Sequence, residues 1–188
     1  MTRTLVASIA VALIASAAAA DSKISFAHLD QQLANVRSDT ALIFSSEAID
    51  EYPLWSSDSR YLAVNVDGEW QKVDLTLATL SPATWRGDQR IGVIANRAAV
   101  SRASQSDISA WRKRNALNSR KANVGGTVVE LQANELSTAL VVTSPGRKPQ
   151  TRWESAEENC HSLVVAPDKT HVAFICEMNG VLILRVGP

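Results

Sequence analysis

The sequence predicts an all-β fold in which two blade-like antiparallel sheets are stacked. A strand–turn–strand pattern occurs twice along the chain, at about residues 38–75 and again at about 127–186. The hairpin at about 161–177 in the second copy is largely apolar on both faces, unlike a sheet that has one solvated side. Turn sequences join the strands, such as Asp-Gly at 67–68 and Asn-Gly at 179–180. A repeated antiparallel unit with two buried faces is typical of sheets packed face to face.

Residues 1–20 have the order of a secretory signal peptide. Arg3 provides a positive start, residues 5–14 are apolar, and Ala18-Ala19-Ala20 end the segment. The apolar run is shorter than the roughly 20 residues needed to span a bilayer. We therefore expect cleavage after Ala20 and a mature protein that is periplasmic or secreted, without stable membrane insertion. An uncleaved N-terminal anchor is the alternative.

Residues 21–188 are expected to form a single β-rich domain, because a chain of this length can bury a substantial core. Near its start, apolar residues recur at helical spacing at positions 26, 29, 33 and 36, which predicts a short helix. A first strand is the alternative for that segment. Strands are then expected at about 40–46, 61–66, 69–75, 91–95, 127–131, 138–144, 161–166, 171–177 and 180–186.

A polar, basic insert at about 97–125 separates the two copies. Ser106-Asp107 could cap a short helix that buries Ile108, Trp111 and Leu117. A long surface loop is the alternative, and loops of that length are usually functional or disordered.

The two cysteines, Cys160 and Cys176, are predicted to form a disulfide. A hairpin centred on Asp168 places them directly opposite each other, and an exported protein favours their pairing. Their spacing lacks the C-x-x-C pattern of a redox or zinc site. The same register divides the hairpin into two apolar faces, one with Ser162, Val164, Val172 and Phe174 and the other with Leu163, Val165, Ala173 and Ile175.

The turn segments of the two copies also resemble a known repeat. Residues 55–64 are WSSDSRYLAV and residues 165–174 are VAPDKTHVAF. Both resemble the WD-like repeat of TolB-type β-propellers, whose pattern is roughly W-S-P-D-G-[KR]-x-[IL]-A-[FV]. The first copy lacks the proline and glycine of that pattern, and the second lacks its tryptophan, serine and glycine. The resemblance implies propeller-blade-like sheets, arranged as an incomplete propeller or as compact stacked sheets.

The length of the chain limits the number of blades. At about 40–45 residues per blade, it is too short for the six or more blades of a closed family propeller. An incomplete propeller would leave blade faces and edge strands open. We therefore expect a compact arrangement of sheets or a homodimer that covers these surfaces.

No residue pattern indicates a catalytic, cofactor or metal site. His161, Ser162, Asp168 and His171 are close in the sequence, but residues of one tight hairpin rarely reach the geometry of a Ser–His–Asp triad. A metal site formed by His161, His171 and Glu177 is similarly weak. We expect a protein that is not an enzyme and that uses no cofactor or metal.

The distribution of charge points to a binding surface, although the net charge is zero. Residues 21–85 carry ten acids and four bases, whereas residues 86–121 carry nine bases and two acids. This basic stretch could bind an acidic protein surface or an anionic envelope polymer, whereas nucleic acid is not expected as a partner of an exported protein. The candidate partner-binding residues in it are Arg102, Trp111, Arg112, Lys113, Arg114 and Arg120.

These observations favour an exported, non-catalytic protein-binding module of the cell envelope, whose partner is another envelope or secreted protein. Two alternatives stay open. An inhibitor or immunity protein for a secreted enzyme would carry a protruding loop, at 101–123 or 145–159. A hydrolase would instead bring His161, Ser162 and His171 together in a cleft.

Overall fold

The structure is a computed structural model that describes residues 23–45, 49–84, 90–118, 120–135, 137–156, 159–177 and 180–187. The expected signal peptide and its cleavage site lie outside the described residues. Within the described part of the chain, no helix is both long enough and apolar enough to cross a membrane.

The described residues form two α-helices, one short 3₁₀ helix at Arg97–Ala99 and fourteen strands. Helix α1 spans residues 23–35, and helix α2 spans Gln105–Arg112. The strands are β1 (Thr40–Phe44), β2 (Leu54–Trp55), β3 (Tyr61–Val66), β4 (Glu69–Asp74), β5 (Leu80–Thr84), β6 (Arg90–Ile94), β7 (Val100–Arg102), β8 (Lys121–Val124), β9 (Thr127–Ala133), β10 (Ser137–Thr143), β11 (Gln150–Ala156), β12 (Cys160–Val165), β13 (His171–Cys176) and β14 (Gly180–Arg185).

Among the described residues, these strands form three sheets. Sheet A has the order β12-β13-β14-β1-β6-β5, sheet B the order β2-β3-β4-β7, and sheet C the order β11-β10-β9-β8. Neighbouring strands are antiparallel except β1 and β6, which are parallel. The expectation of an all-β fold with stacked antiparallel sheets is confirmed, and the third sheet is an addition that the two-copy pattern did not reveal.

Sheet A is the middle layer of the stack. All five residues of β1 are buried, and the strand contributes side chains to two cores. Ala41 and Ile43 belong to the core shared with sheet B, whereas Leu42 belongs to the core shared with sheet C. The expected burial of both faces of the hairpin at 161–177 follows from this position, because its strands β12 and β13 lie in sheet A.

The first described strand, β1, pairs with the last one, β14. Their antiparallel register runs from Thr40 opposite Leu184 to Phe44 opposite Val181. Gly180 begins β14 at a φ of 106°, and a Cβ atom there would lie 1.8 Å from the carbonyl oxygen of Phe44. Glycine is therefore required at this position for the two terminal strands to approach each other.

Helix α1 packs between sheets A and B. Phe26, Leu29, Leu33 and Val36 are all in the core of those two sheets, so the helical interpretation of this segment is confirmed. Arg37, two residues after the end of α1, has a φ of 56°. The hydrogen bond from the Ser38 N–H to the Leu33 carbonyl closes the end in the manner of a Schellman motif.

Helix α2 covers the outer face of sheet B. Its cap is Ser104, whose hydroxyl accepts a hydrogen bond from the Asp107 N–H, and not the expected Ser106. Ile108 and Trp111 are buried as expected, and they pack against apolar residues of sheet B. Leu117 is instead 48% exposed, because it follows the end of the helix.

The inhibitor alternative requires a protruding loop at 101–123 or 145–159. The described residues of both segments lie largely in helices and strands. The first segment, 101–123, contains α2 and parts of β7 and β8, and the described part of 145–159 contains β11. All of these strands pair with neighbours within sheets B and C, so neither segment projects as a loop over its length.

The two copies of the repeat adopt the same turn. The N–H of Ser59 donates to the carbonyl of Ser56, and the N–H of Lys169 donates to that of Ala166. In both turns an aspartate side chain accepts a hydrogen bond from the N–H two residues later. Ser59 and Lys169 have φ values of 59° and 61°, at the position where the repeat pattern carries glycine.

Cys160 and Cys176 form the expected disulfide, which is compatible with an extracytoplasmic location. The register of their hairpin differs from the expected one. Near the turn, Val165 lies opposite Val172, one residue out of the predicted register, and a bulge between His161 and Val164 restores the pairing at the cysteines. Ser162 in this bulge has a φ of 58°.

The bulge reverses the expected faces of three residues in β12. Val164 shares a core with Ala173 and Ile175, not with Val172 and Phe174. Leu163 is in the core with Val172 and Phe174, and Val165 packs against that same core. The sequence expectation was wrong here because one inserted residue moves every later side chain to the opposite face.

Removing the disulfide should destabilise the fold. We expect the Cys160→Ala/Cys176→Ala variant to lose about 3 kcal/mol of unfolding free energy, because a cross-link across a short loop restricts the unfolded chain. Urea denaturation with and without a reducing agent checks this expectation. The reducing agent should lower the midpoint of the native protein and leave that of the variant unchanged; an unchanged native midpoint would contradict it.

Substitution of Gly180 should be more harmful than substitution of another glycine with positive φ. We expect Gly180→Ala to lower the unfolding free energy by at least about 2 kcal/mol, since it adds a backbone clash to conformational strain. Gly68→Ala is the matched control, because Gly68 has a φ of 78° but a Cβ added there would meet no atom within 4 Å. Equal midpoints for the two variants in urea would show that the β1–β14 contact is not tight.

Candidate binding groove between the two repeat turns

The segment that follows α2 runs across the edges of two sheets. The Asn115 side chain accepts a hydrogen bond from the N–H of Trp55 and donates to its carbonyl, both at 2.8 Å. It also donates to the carbonyl of Trp111 at 2.9 Å. Three residues later, the N–H of Asn118 donates to the carbonyl of Leu163 at 3.0 Å. Because β2 and β12 are edge strands of sheets B and A, the segment protects both edges from pairing with other chains.

A groove lies between this segment and the two repeat turns. It encloses about 390 Å³, and it is lined by residues of the first turn, the second turn and the segment 114–118. Trp55 lies at its base and is almost completely buried, with its indole N–H 3.4 Å from the carbonyl of Val164. Val165, Ala116 and Pro167 add further apolar surface. We refer to it as the turn groove.

The polar lining of the turn groove is basic and rich in amides. Arg114 and Lys169 contribute the two cations, and both residues are exposed. Asn115, Asn118 and Asn123 contribute side-chain amides. None of the described residues that line the groove is acidic. The groove therefore combines an apolar base with hydrogen-bonding groups and two cationic side chains.

Three of the expected partner-binding residues are engaged within the molecule. Trp111 is 8% exposed, and its ring stacks on Tyr61 with 6.1 Å between centroids. Arg112 pairs with Glu51, and Arg102 pairs with Glu69 at 3.1 Å. The acidic and basic stretches of the sequence thus face each other across sheet B and helix α2.

The other three expected residues have separate locations. Lys113 follows α2 and is exposed, whereas Arg114 lines the turn groove. Arg120 precedes β8, and its guanidinium donates to the Asn159 side chain at 2.7 Å. Of the six residues, Arg114 is the one that lines the turn groove.

Two carboxylates stabilise the elements around the groove. The Asp107 pKa lies below its ordinary value, because the Ser104 hydroxyl and the Lys72 ammonium stabilise the charged form at the start of α2. Burial disfavours the charged form of Asp74, but hydrogen bonds from Arg60 and Thr76 outweigh that effect and lower the pKa of this carboxyl. The Arg60–Asp74 pair, at 2.8 Å, ties the first repeat turn to the end of β4.

The histidines do not form the cleft that the hydrolase alternative requires. His161 Nδ1 lies 2.7 Å from the Ser162 hydroxyl. His171 lies near the other end of the hairpin, fully buried, with its Nε2 3.0 Å from Asp30 and its ring stacked on Phe26. Within the described part of the chain, no cluster of histidine, cysteine and carboxylate side chains has the arrangement of a metal site.

Asn115, Asn118 and Lys169 were not expected as functional residues. A signal was present, because Asn115, Asn118 and Asn123 are closely spaced after the α2 sequence and asparagine often pairs with open backbone groups. These asparagines line the same groove as Lys169 only because the insert and the second repeat turn, which are far apart in the sequence, are in contact. No local pattern could have indicated that contact.

Comparison with known proteins finds no matching family model, no similar curated protein and no solved structure that matches this chain.

The bridging role of Asn115 can be tested against a neighbouring asparagine. We expect Asn115→Ala to lower the unfolding free energy by about 2 kcal/mol, because it leaves the N–H and carbonyl of Trp55 without their partners. Asn118→Ala is the matched control, since its side chain makes a single exposed hydrogen bond to Ala116. Urea denaturation should give a clearly lower midpoint for Asn115→Ala alone, and equal midpoints would contradict the bridging role.

Proposed function

We propose that the protein is an exported, non-catalytic binding module of the cell envelope, and that it binds an extended segment of another envelope or secreted protein in the turn groove. The observation that carries the proposal is the lining of this groove, where amides and two cations surround an apolar base without any described carboxylate. Clefts with an apolar surface and a few convergent polar groups are the usual sites of recognition.

The chemistry of the groove suits a peptide with acidic side chains. Asn115 is occupied in holding Trp55, but the Asn118 side chain donates to Ala116 and the Asn123 side chain accepts from Gly126, and each keeps a further amide group for the N–H or carbonyl groups of an extended chain. Arg114 and Lys169 would attract an acidic side chain of the partner and orient it along the groove. The exposed Pro167 and Ala116 offer an apolar contact to an adjacent side chain of the partner.

The location of the protein is part of the proposal. The signal-like order of residues 1–20 and the disulfide between Cys160 and Cys176 both support a periplasmic or secreted protein. Thiols of cytosolic proteins are kept reduced, so a buried disulfide is more useful to an exported chain.

We also propose that the two copies are degenerate TolB-type repeats. Support comes from the shared turn geometry, with a left-handed residue at the glycine position of the pattern in each copy. The fold analogy alone is a weak warrant for function, because one fold serves many activities. The binding proposal therefore rests on the turn groove and not on the resemblance.

Site-specific photo-cross-linking can test the proposed groove. A photo-reactive amino acid at Ala116, which lines the groove, should cross-link one envelope or secreted protein in extracts of the source cells. The same amino acid at Gln132, an exposed residue of β9, serves as the surface control. A single partner cross-linked from position 116 and not from position 132 is the expected result.

Two charge-reversal variants test whether the positive charge of Arg114 is needed for partner binding. In the cross-linking protein, Arg114→Glu should abolish the product, because it reverses one of the two cations in the groove. Lys113→Glu makes the same change at the adjacent exposed residue outside the groove and should leave the product intact. Failure to cross-link from position 116, or equal loss in both variants, would overturn the proposed site.

A further inference from the structure

A second and more strongly basic groove lies elsewhere on the molecule and shares no residue with the turn groove. It consists of two adjoining cavities of about 330 and 320 Å³, and Arg152 lines both. The turn between β10 and β11 contributes Arg147 and Lys148 to the first cavity. Arg37 and Arg90 line the second cavity. We refer to the two cavities together as the cationic groove.

The cationic groove has a large excess of positive charge. Five cationic side chains line it, and Asp39 is the one acidic residue among its described lining residues. Asp39 forms an ion pair with Arg152, at the junction of the two cavities. Arg37, Arg90, Arg147 and Lys148 make no ion pair with any described residue. Like charges gathered on one surface repel each other, so their proximity favours binding of an anion.

The backbone holds part of this groove in place. Arg37 is in the left-handed region at the end of α1, a conformation that costs a non-glycine residue energy. The next residue, Ser38, donates its hydroxyl to the carbonyl of Arg90 at 2.7 Å and accepts from the Thr40 N–H at 3.0 Å. Two of the three arginines of the second cavity, Arg37 and Arg90, are therefore joined through hydrogen bonds of Ser38.

The first cavity adds neutral hydrogen-bonding groups. Thr127, Ser144 and Gln150 line it beside Arg147 and Lys148. Hydroxyl and amide donors beside arginine are typical partners of phosphate oxygens, and the planar guanidinium binds such oxygens in a bidentate manner.

We propose that the cationic groove binds ligands that carry two or more phosphate groups, with one group in each cavity and Arg152 between them. Two adjoining basic cavities with a shared arginine match separate anionic groups better than a single anion. The Asp39 carboxylate occupies one side of Arg152 and lowers the net charge at the junction. The phosphate groups could belong to a soluble polyphosphate or to lipid headgroups, and both sources share this chemistry.

Isothermal titration calorimetry with inorganic tripolyphosphate tests the proposal on the intact protein. We expect one saturable binding event that is at least about tenfold tighter than binding of orthophosphate, because two cavities are engaged together. Citrate is the comparison for a carboxylate anion and should bind at least about tenfold more weakly than tripolyphosphate. Absence of tripolyphosphate binding, or equal binding of citrate, would overturn the proposal.

Matched variants locate the binding to this groove. Arg147→Gln/Lys148→Gln changes two exposed cations in a turn and should weaken tripolyphosphate binding by about tenfold or more. Lys23→Gln/Lys113→Gln removes the same charge from two exposed residues outside both grooves and should leave the affinity unchanged. Asp39→Asn should strengthen binding, since it removes the carboxylate at the junction. Equal weakening in the two double variants would show a nonspecific charge effect and would overturn the proposal.

Vesicles distinguish the two sources of phosphate. If vesicles that contain phosphatidic acid bind the protein and compete with tripolyphosphate, the source is a lipid headgroup. If tripolyphosphate binds and these vesicles do not compete, the source is a soluble phosphate compound. Cross-linking at Ala116 is independent of this experiment, so the proposals for the two grooves can fail separately.

Discussion

The pairing of β1 with β14 is the constraint on which the rest of the structure depends. It places β1 in the middle of sheet A, where one side of the strand joins β14 and the other joins β6 in parallel. Side chains of β1 then enter both cores that hold sheets B and C against sheet A, Ala41 and Ile43 in one and Leu42 in the other. Without this pairing, β1 would no longer connect β14 to β6 within sheet A, and it would no longer contribute side chains to both cores. Gly180 permits the close approach, because any side chain there would meet the backbone of Phe44.

The basic insert covers parts of the sheets that would otherwise be exposed to solvent. Helix α2 covers the outer face of sheet B with Ile108 and Trp111, and the segment after it occupies edges of sheets A and B. Ion pairs such as Arg112–Glu51 join this insert to the acidic first third of the chain. Trp111 of the expected partner-binding set is thus buried in this contact, and Arg102 and Arg112 form exposed ion pairs within the molecule. Arg114 of this set lines the turn groove.

The two grooves arise from different physical causes. The turn groove forms because two copies of one local turn are brought next to each other by the stacking of sheets A and B, with the insert as its third side. The cationic groove forms where the end of α1, the start of β6 and the β10–β11 turn meet. Its cations are scattered along the sequence and none belongs to a basic run longer than Arg147-Lys148. Repeated local structure therefore produces one candidate site, and long-range folding alone produces the other.

The sequence by itself determined the features that depend on neighbours along the chain. The α1 periodicity, the repeat turns, most strands and the Cys160–Cys176 pairing were predictable because each depends on residues close in sequence. Short edge strands such as β2 and β7 were not, since their hydrogen bonds come from other parts of a sheet and not from their composition. The bulge at Ser162 was also missed, although it decides which core receives Leu163 and Val164. The tertiary structure alone decided the third sheet, the β1–β14 pairing and both grooves, because these depend on contacts between residues far apart in the chain.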